Sequence, residues 1–215
     1  MYRTYVHIPQ DEEFTHQSWC KHLAAGRSYL SSGPMLDFTV EGVRVGETVK
    51  LPAGGGTVEV EVRAESIFPM HTLEIVQQGK VVASTQEPKG ARRLRLQARV
   101  RVDGHSWLAA RVGGPGYSEF LSHWDLTGRR GIFAHTSPIY VACGGDWEML
   151  DRDAAQYMLN MYEGAQIYLR NTALHYRPGT VTHHHGEDDH LAYLERPFRQ
   201  ARDAVLRKLE RWAQK

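Results

Sequence analysis

The sequence predicts a mainly β protein: an antiparallel immunoglobulin-like β-sandwich flanked by an N-terminal helix and two C-terminal helices. Three observations predict it. Residues 35–142 hold several stretches in which apolar and polar side chains alternate strictly, the period of a strand with one wet face. No helical pattern interrupts them, which argues against a parallel α/β sheet. Before residue 34 and after 143 the apolar residues recur at helical spacing instead. The chain therefore divides into 1–34, 35–142 and 143–215.

The first segment predicts one helix over 12–25. Thr15 is its N-cap, with Phe14 and Trp19 placed for a hydrophobic staple. Trp19 and Leu23 mark its apolar face, and Gly26 suits the left-handed position just past its end. Ser31-Ser32-Gly33-Pro34 is a turn. In the middle segment Leu36, Phe38 and Val40 form one alternating set. Val58, Val60, Val62 and Ala64 form a second, and Leu94, Leu96, Ala98, Val100 and Val102 a third. Shorter strands are expected over 72–77, 80–84, 106–112 and 138–142. Gln78-Gly79 and Asp103-Gly104 are turn signals between neighbouring strands. In the last segment 153–170 predicts a helix, 171–189 a polar loop, and 191–212 a second helix with Pro197 in its first turn.

Composition narrows the function classes. The 215 residues carry 26 Lys+Arg against 25 Asp+Glu, a net charge of +1, which excludes a global polycation built for nucleic acid. No apolar run approaches the roughly 18–20 residues that cross a bilayer, so no membrane partner is expected. The start of the chain, Met1-Tyr-Arg-Thr-Tyr-Val-His, has no apolar stretch of the secretory kind. Cys20 and Cys143 are too few for a disulfide framework or a Cys-rich zinc site.

Histidine is abundant, with 12 copies, and His183-His-His-Gly-Glu-Asp-Asp-His190 concentrates it. Imidazole and carboxylate donors suit zinc, nickel or manganese, which makes His183, His185, Glu187 and His190 the candidate metal ligands. The rival reading is a solvated polar loop, since no helix face holds the donors together. Arg93, Arg95, Arg99 and Arg101 share one strand face and could meet phosphates. Alternatively Glu59, Glu61 and Glu65 neutralise them across the sheet. Ala53-Gly-Gly-Gly56 lacks a following helix and reads as a hairpin turn. His135 lies close to Ser137, but no nucleophile elbow exists, so a locally hydrogen-bonded His135 is expected. His71, His105 and His123 are isolated. Asp146, Asp151 and Asp153 read as carboxylates favoured at a helix start. No catalytic residue and no cofactor-binding residue is identified in this chain.

The order of four segments resembles a known family. Trp19…Leu23-Ala-Ala-Gly-Arg-Ser-Tyr-Leu-Ser-Ser-Gly-Pro-Met-Leu36 resembles the stretch that leaves the barrel in PHP-type metal-dependent hydrolases of the CehA/McbA group. Leu73–Val82, Ser106–Val112 and Phe133–Val141 are similar to that group's C-terminal half. The resemblance implies hydrolysis of small molecules by a divalent metal cluster in an N-terminal barrel, whose ligands precede the portion matched here. His183 and His185 spell His-x-His but lie on the wrong side of the sandwich for that pair. Ser32 stands where the family often has Asn.

No cofactor is thus expected in this chain, and divalent metal only in the barrel. The leading expectation is a non-catalytic accessory module that supports a PHP-type barrel or an oligomer interface. Its partner would be that barrel or a second copy. Trp124 and residues 113–124 could face such a neighbour or cap the sandwich. A stand-alone binding module for carbohydrate or protein is the first alternative, marked by an exposed aromatic cluster or concave sheet face. A metal-dependent hydrolase using the His183–His190 cluster is the second.

Overall fold

The computed structural model describes residues 2–114, 131–173, 186 and 188–213. The chain forms two compact units, Met1–Glu148 and Met149–Lys215.

The first unit is mainly β. It holds β1 (Arg3–Val6), α1 (His16–Ala24), β2 (Ser28–Ser31), β3 (Met35–Val40), β4 (Val43–Arg44), β5 (Thr48–Leu51), β6 (Gly56–Gln77), β7 (Lys80–Val102), β8 (Ser106–Gly113), β9 (Phe133–Thr136) and β10 (Ile139–Cys143). The strands join one curled sheet in the order β1-β2-β9-β8-β6-β3-β4, with β7 on β6, β10 on β8 and β5 on β10. These pairings are antiparallel except β10 with β5.

Two very long strands organise the sheet. β6 and β7 run 22 and 23 residues, where the alternation predicts two shorter strands in each. The break in alternation is real but takes the form of bulges: the β6–β7 register shifts between Glu65 and Met70 and again before Thr72. Pro69 and Pro88, which lack an N–H, sit in this stretch. Gly90 has φ +75°, and a Cβ there would meet the His71 ring at 2.8 Å. A bulge bends a strand without ending it. Consequently the first half of β6 lies between β3 and β7, and its second half between β8 and β7.

The core follows the alternation. Val58, Val60, Val62 and Ala64 of β6 are buried, as are Leu108, Ala110 and Val112 of β8. Each such aliphatic side chain contributes at most about 1.5–3 kcal/mol by leaving water. On the outer face Arg93 pairs with Glu65 at 3.1 Å and Arg95 with Glu61 at 2.9 Å. Arg99 stands opposite Glu59 in register, and Arg101 meets Asp103 at 2.6 Å. The arginine stripe is thus largely paired within its own sheet, and Arg63 beside Glu61 holds that carboxyl below its usual range.

The turns divide. Gln78 (φ 48°) and Gly79 (φ 81°) close the β6–β7 hairpin as predicted. Asp103-Gly104 does not join paired strands, because β8 pairs with β6 and not with β7. The Gly-rich segment likewise closes a turn, through Gly55 N–H donating to the Pro52 carbonyl at 2.9 Å, but no hairpin: β5 leaves to pair with β10.

α1 begins at the predicted cap, where Ser18 N–H donates to Thr15 Oγ1 at 3.0 Å and Thr15 N–H to Ser18 Oγ at 2.9 Å. The staple does not cover Phe14, which is 77% exposed. The buried face is Ser18 and His22, whereas Leu23 is exposed. Gly26 (φ 71°) ends the helix as expected, with Arg27 N–H donating to the His22 carbonyl.

The second unit is α2 (Arg152–Ala173) and α3 (His190–Ala213). Asp151 Oδ1 accepts from Ala154 N–H at 2.9 Å and Asp189 Oδ1 from Ala192 N–H at 2.8 Å, so both helices start on aspartate caps. Pro197 is not in the first turn of α3; the helix starts at His190 and Pro197 lies inside it. Arg170 Nε donates to buried Glu195 Oε1 at 2.6 Å across the pair.

Candidate functional site

The outer face of β8, β9 and β10 carries a concavity. Along β8 the core takes Leu108, Ala110 and Val112, so Trp107, Ala109 and Arg111 point the other way. Register then sets their neighbours. Tyr140 of β10 lies opposite Trp107, His135 of β9 opposite Arg111, and Glu74 of β6 on the other side of Arg111. The small Ala109 sits between the large Trp107 and Arg111. A trough results, of about 590 Å³, within the usual size for a small-molecule site.

One wall is aromatic. Trp147, just beyond β10, brings its ring to 4.6 Å from Tyr140 at 57°. Its indole N–H donates to the Ser106 carbonyl at 2.8 Å, which fixes the ring. Trp107 completes this wall. Arg111 and His135 bring polar groups to the same trough. Arg111 Nε donates to Glu74 Oε2 at 2.6 Å, and Phe133 stands 5.6 Å from His135 at 56°. His135 Nδ1 donates to the Thr136 carbonyl at 3.2 Å, the local bond expected, which leaves Nε2 as the acceptor of that ring.

The hydroxyls at and beside the trough already take hydrogen bonds. Thr136 Oγ1 accepts from Ala110 N–H at 3.0 Å, and Ser106 Oγ accepts from Gln77 Nε2 at 3.2 Å. Ser137 turns to Ser28, oxygen to oxygen at 3.0 Å, so it forms no pair with His135. The arrangement can stack on a flat apolar face and hydrogen-bond its edge.

A second polar cluster escapes sequence reading altogether. His22, 1% exposed, bonds Glu12 Oε2 through Nε2 at 2.8 Å and accepts from Arg27 at Nδ1, 3.1 Å away. Arg27 also meets Glu47 at 3.3 Å. The guanidinium can only donate, so Nδ1 is the acceptor and Nε2 carries the proton. Both ring nitrogens are therefore occupied, and the cluster pins α1 to the chain beyond it. Glu12 is held below its usual carboxyl range by the His22 and Lys21 hydrogen bonds.

The candidate metal ligands fare differently. His183, His185 and Glu187 lie outside the described residues, and His190 opens α3. Among the described residues no three His, Cys, Asp or Glu side chains gather as a metal site needs. His105 Nδ1 accepts from Cys143 N–H at 3.2 Å, and Asp146 meets Lys50 at 3.8 Å. His71 Nδ1 is buried without a hydrogen-bond partner. Burial raises the Cys143 thiol, which is not a reactive one. Trp124 and most of 113–124 also lie outside the described residues, whereas Gly113 and Gly114 are buried. Among the described residues no helix is long and apolar enough to cross a membrane.

No family model matches the chain, and no curated protein matches it.

Proposed function

We propose that this chain is a non-catalytic binding module whose β unit takes a carbohydrate in the trough of Trp107, Tyr140 and Trp147. One observation carries the reading: Trp107, Tyr140 and Trp147 line the same trough as Arg111 and His135, with the small Ala109 between Trp107 and Arg111 on β8. A pyranose ring has that same division, an apolar face of C–H groups and a polar rim of hydroxyls. Stacking on fixed aromatic rings costs little entropy, because the rings are already held. Arg111 and His135 would address the rim. The curled sheet is read here as an immunoglobulin-like sandwich, supported by the way each half of β6 has different outer neighbours.

The accessory role beside a PHP-type barrel is compatible with this reading and rests on segment order alone. The aromatic trough adds what that order does not supply, a place for a ligand. A hydrolase built on His183, His185, Glu187 and His190 has no such support.

The test is tryptophan fluorescence and calorimetry of the full chain against soluble oligosaccharides of several linkages. A saturable shift is expected with at least one of them. Trp107→Ala should weaken it at least tenfold, about 1.4 kcal/mol or more. No response to any oligosaccharide, or a response untouched by Trp107→Ala, defeats the proposal.

A further inference from the structure

α2 has apolar residues on two opposite faces. One face, with Ala155, Leu159 and Leu169, is buried or half-buried, and α2 packs on α3. On the other side Ala154, Tyr157, Met161, Gly164 and Tyr168 recur at three- and four-residue steps. That seam is open: Tyr157 is 64%, Met161 52% and Tyr168 66% exposed, and Ile167 beside it 50%. From 154 to 169 the only charge on α2 is Glu163, and it lies off the seam. A helix apolar on both sides is normally covered on both.

We propose that a second copy of this chain covers the seam, α2 against α2, antiparallel about a dyad between Met161 and Gly164. The seam is its own complement in that arrangement. Tyr157 comes level with Tyr168 of the other copy, and Met161 with Gly164, a large side chain over a position that has none. Ala154 comes level with Asn171, and Asp153 stands beside that same Asn171, whose amide can donate to a carboxylate. Steps of three and four are those of a left-handed helix pair, and an isologous contact closes at two copies. A parallel pair would set Gly164 on Gly164 and leave a gap, and would align the two helix dipoles instead of opposing them. The four exposed side chains offer roughly 500 Å² per copy, hence about 1,000 Å² in the pair, the lower bound of a specific interface.

Light scattering of the full chain over a range of concentrations should show a dimer. Met161→Glu and Tyr157→Glu should each weaken it at least tenfold while helix content by circular dichroism stays unchanged. Orientation is read by cross-linking in a Cys20→Ser background. Tyr157→Cys and Tyr168→Cys chains should form a disulfide-linked dimer when mixed. Neither should do so alone, since its two copies of the cysteine would lie about 16 Å apart along the axis. A monomer at every concentration means something else covers the seam and overturns the proposal. So does a dimer that survives both glutamate variants, or a Tyr157→Cys chain that links to itself.

Discussion

His22 shows how a single side chain can be misjudged from its position in a helix. The spacing of Trp19 and Leu23 points to an apolar face, yet the buried face is the one bearing Ser18 and His22. Burying an imidazole is tolerable because Glu12 and Arg27 bind its two nitrogens. His22→Ala would strand both partners, and a loss of about 1–3 kcal/mol is expected in denaturant unfolding. Acid should act through Glu12. Its folded carboxyl lies below the ordinary 4.5, so the unfolded state takes up protons first as pH falls. The stabilisation is complete above 4.5 and disappears as pH drops through the folded value. The melting-temperature gap between the chain and Glu12→Gln should therefore be widest near neutrality and close in acid. Tyr29 works at the other end of the scale. Burial and the charge of the Tyr5 phenol, whose ring lies 5.0 Å away, push its phenol up to about 12. Its contribution is complete below 10 and is lost as pH rises from 10 toward 12, where the unfolded chain ionises first. Tyr29→Phe should remove that alkaline sensitivity, read as a flatter stability profile between pH 10 and about 12.

At the level of elements, backbone geometry sets the limits. Gly55 has φ +72°, and a Cβ there would strike the Val102 carbonyl where β6 begins beside the end of β7. Gly55→Ala is expected to cost about 1–3 kcal/mol, read as a lower denaturant midpoint. Pro197 gives the reverse case. It denies α3 one hydrogen bond to the Tyr193 carbonyl, so Pro197→Ala should stabilise the second unit by up to about 3 kcal/mol, visible in the helical circular dichroism melt. These positions also mark where sequence reading succeeds and fails. Period-two runs such as Val58 to Ala64 fix strand and face, because one residue's slip would turn the whole set outward. Gly26, Thr15 and Gln78-Gly79 are read correctly because each answers a local backbone demand. Partner choice is not local. Nothing near Asp103-Gly104 says that β8 crosses to β6, and nothing near Leu51 says that β5 seeks β10. The trough is hidden for the same reason: Trp107, Tyr140 and Trp147 meet only through the β8–β10 register. Its one local hint is Trp107-x-Ala109-x-Arg111, a small residue between two large ones on the same face.

For the molecule as a whole, the trough belongs to one compact unit and the α2 seam to the other. The two proposals can therefore be separated by mutation. Perturbations at sites that share no partner add within a few tenths of a kcal/mol. Trp107→Ala should weaken the oligosaccharide response at least tenfold and leave the dimer intact. Met161→Glu should weaken the dimer at least tenfold and leave the affinity for a single short oligosaccharide unchanged. A polymer with repeated epitopes is different, since two troughs on one dimer turn the second contact into an intramolecular event. Met161→Glu should then weaken retention on an immobilised polysaccharide by roughly 10²-fold or more, with the short-ligand affinity constant. The double variant should lose both behaviours and still unfold at the midpoint expected from the two single variants. Equal losses on short and long ligands in Met161→Glu would mean that the seam and the trough act as one site, contrary to the separation argued from their units.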